Sequence, residues 1–161
     1  MEYKNPAKSI PKGASFKIPI KAFESEMNNE AAKGKQKEIF ELLTNHNEIS
    51  SYQEYQIIEN SMQRACSRGD LEQLEIYLNE EVKFETEKEL ITFKINKKTK
   101  TASLFRVFTS NDKLIIPRTI KYETEDYLIT SVISSGERSK IVENIEFSKN
   151  SEVRIFYEES F

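Results

Sequence analysis

Residues 91–108, "ITFKINKKTKTASLFRVF", decide how the rest of the chain is read. Ile91, Phe93 and Ile95 alternate onto one face, a run of polar residues from Asn96 to Thr101 follows, and apolar residues return at Leu104, Phe105, Val107 and Phe108. Alternation, a charged turn and renewed apolar residues specify a β-hairpin with one buried face. A different period governs the residues just before it. In 64–81, "RACSRGDLEQLEIYLNEE", apolar residues recur at three and four, which is helical spacing. The chain therefore changes from helix to strand near Glu89.

Working outward from that point, the helical pattern runs back to about Glu30. Ile39, Leu42 and Leu43, then Ile57, Ile58, Met62 and Ala65, then Leu71, Leu74 and Leu78 give each of three helices one apolar face. Ser50 or Ser51 can cap the second helix, with Glu54 placed to complete a capping box. Gly69 suits the left-handed residue that ends it, and Asp70 the cap of the next. The two should form a tight antiparallel hairpin. Residues 1–28 carry Pro6, Pro11, Pro19 and Gly13 among scattered lysines, a composition that predicts an extended or disordered arm. Helices are expected at about 30–44, 52–67 and 71–79, within a helical segment spanning 29–84. Strands are expected at 91–95, 103–108, 114–116 and 144–147, with "YLITSV" (127–132) a further candidate.

Composition excludes several function classes. With 161 residues, 37% of them hydrophobic, the chain can bury a core. Charged residues make up 32% in nearly balanced signs, for a net charge of -3, so no global field favours a nucleic-acid partner. The single cysteine and the lack of an Asn-x-Ser/Thr sequon mark no oxidising or glycosylating compartment, and a cytoplasmic setting is the simpler expectation. No apolar run is long enough for a signal segment or a membrane span, so no membrane insertion is expected.

The β half compares with itself. Leu114-Ile115-Ile116-Pro117 aligns with Ile145-Glu146-Phe147-Ser148, and "YLITSV" with "SEVRIF" (151–156), both with aliphatic residues on a common face. Residues 89–161 resemble the start of a BspA-like leucine-rich repeat domain: the hairpin looks like that family's capping hairpin, "LIIPRTIKYETEDYLITSV" (114–132) its first strand region, Pro117 its proline, and Ser160-Phe161 its closing Ala-Phe. Ser148 replaces the second unit's proline, and "SSGERSK" (134–140) stands where the first unit would close. Residues 52–80 are more weakly similar to an ankyrin helical hairpin through Ala65, Gly69, Leu74 and Leu78, and Gly34, Ile39 and Leu43 align as a fainter copy; a plain helical cap fits equally. The resemblance implies an α+β fold in which an N-terminal helical segment is followed by a β-hairpin cap and the start of a leucine-rich-repeat-like β solenoid of about two units over 89–161. A cap of that kind shields the first unit's apolar edge.

Chemistry is sparse. His46 has no second histidine or cysteine at ligand spacing, which makes it a surface or capping residue. Cys66 beside Ala65 on a helix reads as a small buried hydrophobe. Glutamates are too frequent to single out a catalytic pair, and neither "KGKQK" (33–37) nor "SSGERSK" is a phosphate loop. Lys97, Lys98 and Lys100 read as a solvated turn tip. Phe93, Phe105, Phe108, Phe147, Phe156 and Phe161 fall at inward strand positions and read as core rather than base-stacking groups. No catalytic, cofactor or metal residue is expected, and no binding residue is singled out. The resemblance implies a non-enzymatic protein-binding module with adhesion and surface-recognition roles. The alternative is an intracellular ankyrin-like protein whose helical half binds the partner. Because Phe161 falls at a closing motif, Ile145, Phe147, Val153 and Phe156 are expected to form an open edge in a truncated family member, prone to self-association.

Overall fold

A computed structural model of the chain describes residues 16–46, 48–49, 52–111, 113–133 and 144–156. They fall into two compact units that divide between Asn79 and Glu80.

The first unit contains β1 (Phe16–Lys17), α1 (Glu24–Met27), α2 (Gln36–Asn45), β2 (Glu48–Ile49), α3 (Tyr52–Arg68) and α4 (Leu71–Leu78). Its core gathers the apolar stripe of each helix: Ile39 and Leu43 of α2, Ile58, Met62 and Ala65 of α3, and Leu74 of α4 are all fully buried. Gly69 ends α3 at φ 67, and the Asp70 carboxylate accepts a hydrogen bond from the Gln73 amide at 3.0 Å to start α4. A Cβ at Gly69 would also meet the Ala31 carbonyl oxygen at 2.7 Å. Both conformation and space therefore require glycine there. Ser50 and Ser51 lie outside the described residues. The arm expected over 1–28 does not hold for 16–27, where β1 pairs with β2, a 3-10 turn spans Ile20–Phe23, and α1 follows. Phe23 and Met27, four residues apart, are buried and anchor this segment; Pro19 precedes the first turn, where it costs no hydrogen bond.

The second unit starts earlier than the sequence pattern indicates. The helical segment expected to reach residue 84 stops at Leu78, and "EEVKFE" forms β3 (Glu80–Glu85). It is followed by β4 (Glu89–Asn96), β5 (Thr101–Thr109), β6 (Lys113–Ile116), β7 (Thr119–Tyr122), β8 (Glu125–Val132), β9 (Asn144–Phe147) and β10 (Ile155–Phe156). The main sheet has the order β10-β8-β5-β4-β3, with β7 paired to β8 off that path. Pairings are antiparallel for β3·β4, β4·β5 and β7·β8, and parallel for β5·β8 and β8·β10. A separate parallel pair joins β6 to β9.

This corrects the expected architecture. The fold is α+β, but the hairpin β4–β5 is no cap at the head of a solenoid: it forms the centre of a curled mixed sheet, flanked by β3 on one side and β8 on the other. Nor do the helices simply open the chain, since α3 and α4 lie between β2 and β3 in its order. The physical reason lies in β3, whose three glutamates and one lysine conceal an inward pair, Val82 and Phe84. These two pack opposite Phe93 and Ile91, so the hairpin gains a third strand and cannot remain at the margin.

The hairpin is also buried on more than one face. Ile91, Phe93 and Ile95 enter the main apolar cluster with Leu104, Val107, Ile116, Tyr127 and Ile129, while Thr92, Lys94 and Phe105, which leave that cluster, are buried as well. Lys94 Nζ lies 5.1 Å from the centre of the Phe105 ring, a cation–π contact that accommodates its charge. A bulge opposite the Thr92/Phe93 step lets Phe93 pair with Leu104 and Thr92 with Arg106. Phe105 is the extra residue. It explains why "SLFRVF" departs from alternation, with Leu104 and Val107 three apart yet both in the core.

Phe93→Ala should lower the stability of the β unit by about 3–5 kcal/mol, and Lys98→Ala by less than about 0.5 kcal/mol, in chemical denaturation. Equal effects would contradict a core centred on β4. Gly69→Ala should destabilise the helical unit by at least about 1–2 kcal/mol, because it adds left-handed strain to a backbone clash, and helical circular dichroism would report it.

Candidate functional site

The expected chemistry-bearing residues are dispersed. His46 caps the C-terminus of α2, exposed, with its amide donating to the Leu42 carbonyl at 3.0 Å. Cys66 is fully buried on α3; burial, and secondarily Glu26, push its thiol up to about 12, so it stays protonated at neutral pH. "KGKQK" is a 3-10 turn running into α2, where Lys33 pairs with Glu30 and Lys35 donates to the Gly69 carbonyl. "SSGERSK", the side chain of Phe156 and all of Phe161 lie outside the described residues. Phe93 and Phe105 are core, and Phe108 and Phe147 are half-buried. Among the described residues no group of three or more His, Cys, Asp or Glu side chains could hold a metal ion.

The structure does assemble a cluster at one end of the β unit. The β4–β5 turn folds on Asn96, whose Oδ1 accepts from the amides of Lys98 and Thr99 at 3.0 and 3.2 Å. Lys100 closes the turn at φ 57. That geometry sends Lys97 and Lys100 in two directions. Lys97 pairs with Glu80 of β3 at 3.1 Å and lies 5.9 Å from the Tyr122 ring centre. Lys100 pairs with Glu125 of β8 and lies 5.4 Å from the Tyr127 ring centre. The two tyrosine rings meet edge to face at 6.3 Å, and the Tyr122 hydroxyl donates to Glu80 at 3.2 Å. Each ammonium thus has a carboxylate and an aromatic face as partners.

This cluster connects β3 at one edge of the sheet with β7 beyond the other. The two lysines remain solvent-exposed, as expected of tip charges, and each is also paired with a glutamate. The hydrogen bond to Glu80 raises the Lys97 pKa above its ordinary value; burial, then Glu80, raises that of Tyr122. The sequence signal for this arrangement was weak, because the turn between Tyr122 and Tyr127 contains no glycine or asparagine. Glu123 and Thr124 adopt φ 51 and 78, the paired left-handed conformations of a type I′ hairpin that normally selects Asn-Gly.

Two exposed surfaces remain. In the β unit, Ile115 is 44% exposed while its neighbours Leu114 and Ile116 are buried beneath the β6–β9 pair. Beside it, Lys113 bridges to Glu146 at 3.0 Å. In the helical unit, Phe40 and Tyr52 are 52% and 51% exposed, and Tyr52 belongs to an aromatic group with Phe16 and the buried Tyr55. In comparisons with protein-family models, curated proteins and solved structures, nothing matches this chain.

The upward shift of Tyr122 carries stability that is complete below the ordinary tyrosine value of 10.0 and is lost as pH rises beyond it. Tyr122→Phe should cost about 0.5–1.5 kcal/mol at neutral pH and flatten the alkaline decline; a stability profile above pH 9 that is unchanged by the substitution would contradict the cluster. Thr124→Gly should stabilise the β unit by about 0.5–1 kcal/mol by relieving left-handed strain, measured as a rise in denaturation midpoint.

Proposed function

We propose that this chain is a non-enzymatic protein-recognition module whose contact surface is the outer face of the β6–β9 pair. Ile115 carries the reading. It is a β-branched residue held outward on a strand whose adjacent side chains are core, flanked by the Lys113–Glu146 bridge. An apolar centre with a charged rim is the arrangement by which protein interfaces combine desolvation with specificity. The resemblance of residues 89–161 to BspA-like leucine-rich repeat proteins points to the same role. The parallel register that places Leu114 beside Ile145 and Ile116 beside Phe147 supports that resemblance, because these are the residues that align in sequence. The partner is a protein, with no role for nucleic acid, given the balanced charge. Among the described residues no helix is long and apolar enough to cross a membrane. The lone cysteine and missing sequon favour the cytoplasm, and a cell-surface setting follows from the resemblance alone.

A second reading, in which an ankyrin-like helical half binds the partner, is favoured by the exposed Phe40 and Tyr52, since half-exposed aromatic side chains are frequent interface anchors. The two separate in one experiment. The full chain is immobilised and proteins from the producing cell are captured on wild type, Ile115→Glu and Tyr52→Glu. The proposal expects Ile115→Glu to reduce capture of the retained protein by about tenfold or more and Tyr52→Glu to leave it unchanged. The reverse pattern would establish the helical reading, and capture insensitive to both would remove the two together.

A further inference from the structure

We propose that the sheet face opposite the main apolar cluster binds a phosphate group on the row formed by Lys83 of β3, Thr92 of β4 and Arg106 of β5. The inference does not depend on which surface recognises a partner protein. Alternation along each strand sets the row. Val82, Phe84, Ile91, Phe93 and Val107 enter the apolar cluster, so Lys83, Thr92 and Arg106, their neighbours in the chain, point away from it. The ladder places Lys83 directly opposite Thr92, and Thr92 directly opposite Arg106. Such neighbours stand about 5 Å apart at Cβ, close enough for the two long side chains to converge over the threonine.

Each member of the row has hydrogen-bonding capacity that the protein leaves unused. Thr92 is fully buried, yet its hydroxyl has no hydrogen-bond partner, and Nε of Arg106 is likewise buried and unbonded. Buried donors are ordinarily satisfied. Among the described residues Lys83 and Arg106 form no ion pair. Arg106 meets aromatic rings instead, its guanidinium carbon lying 6.0 Å from the Phe105 ring centre and 5.8 Å from that of Phe108. These rings hold the guanidinium in place but accept nothing from Nε. The carboxylates on the same face of β3, Glu81 and Glu85, stand in the adjacent rows, opposite Lys94 and Leu90. A ligand that completes the row must therefore accept several hydrogen bonds and carry negative charge. A neutral acceptor would serve the hydroxyl and leave both cations unbalanced. A phosphate monoester offers oxygens to all three side chains and a charge of about -1.5 to -2 at pH 7 for two cations to balance. In the next row Leu90 pairs with Phe108, both half-buried, an apolar floor suited to the carbon skeleton of such an ester.

Titration calorimetry of the full chain with inorganic phosphate and with phenyl phosphate tests the proposal. Saturable one-to-one binding of at least one probe is expected; tighter binding of phenyl phosphate would assign the site to an ester, and equal or weaker binding to the free ion. Lys83→Met should weaken binding about tenfold, and Arg106→Lys by a similar factor, because lysine keeps the charge but lacks the fork of N–H donors. Thr92→Val should weaken it about fivefold and leave the denaturation midpoint of the unliganded chain unchanged or higher, since an unbonded buried hydroxyl adds nothing to the fold. Lys121→Met, at an exposed lysine of β7, should leave affinity unchanged. No saturable binding of either probe, affinity unmoved by both Lys83→Met and Thr92→Val, an equal loss in Lys121→Met, or a Thr92→Val chain that is less stable without ligand would each overturn the proposal.

Discussion

The β unit depends on the apolar face of β4. Ile91, Phe93 and Ile95 contact Val82 and Phe84 across one flank and Leu104, Val107 and Ala102 across the other. The strands twist in the right-handed sense set by their backbone, and the inward residues of all three belong to one apolar cluster. Within that cluster Phe84 stacks edge to face on Phe93 at 5.8 Å. At one end, Glu80, Lys97 and Tyr122 then join strands that are distant in sheet order. Removing Phe93 would leave the polar clasp with nothing to close around, whereas removing the clasp would leave the apolar cluster in place.

The same constraint explains which parts of the fold could be read from residue patterns. The β4–β5 hairpin, α3, α4 and the caps at Gly69 and Asp70 were legible because their periods and capping chemistry are local. β3 was not: four of its six residues are charged, and only the opposing β4 shows that Val82 and Phe84 point inward. The turn at Glu123–Thr124 was hidden because its residues oppose the conformation that they adopt. The clasp was illegible for a related reason. Lysines in a turn are ordinarily solvated, and nothing local indicates that Glu80, seventeen residues before Lys97 in the numbering, lies beside it. The apolar segment at residues 16–27 was obscured by the prolines around it, although Phe23 and Met27 are spaced as a helical pair.

The proposed function rests on exposed side chains. In the turn cluster Lys97 and Lys100 are paired with Glu80 and Glu125, the single cysteine is buried and protonated, and the lone histidine caps a helix in solvent. Ile115, by contrast, stands on a strand whose neighbouring side chains, Leu114 and Ile116, are buried, which would hold it in place for the proposed protein contact. Among the described residues the sheet unit exposes Ile115 and Ile155, and the helical unit Phe40 and Tyr52.

Because β3, β4, β5 and β8 share one apolar cluster, they should open as one unit rather than layer by layer. Native-state hydrogen exchange across a denaturant series tests this most directly. The account predicts that hydrogen-bonded amides of these four strands converge on a single opening free energy, and that Phe93→Ala lowers all of them equally. Amides of β3 or β8 that open independently of β4 and β5, and do not respond to Phe93→Ala, would contradict a curled sheet built around that residue.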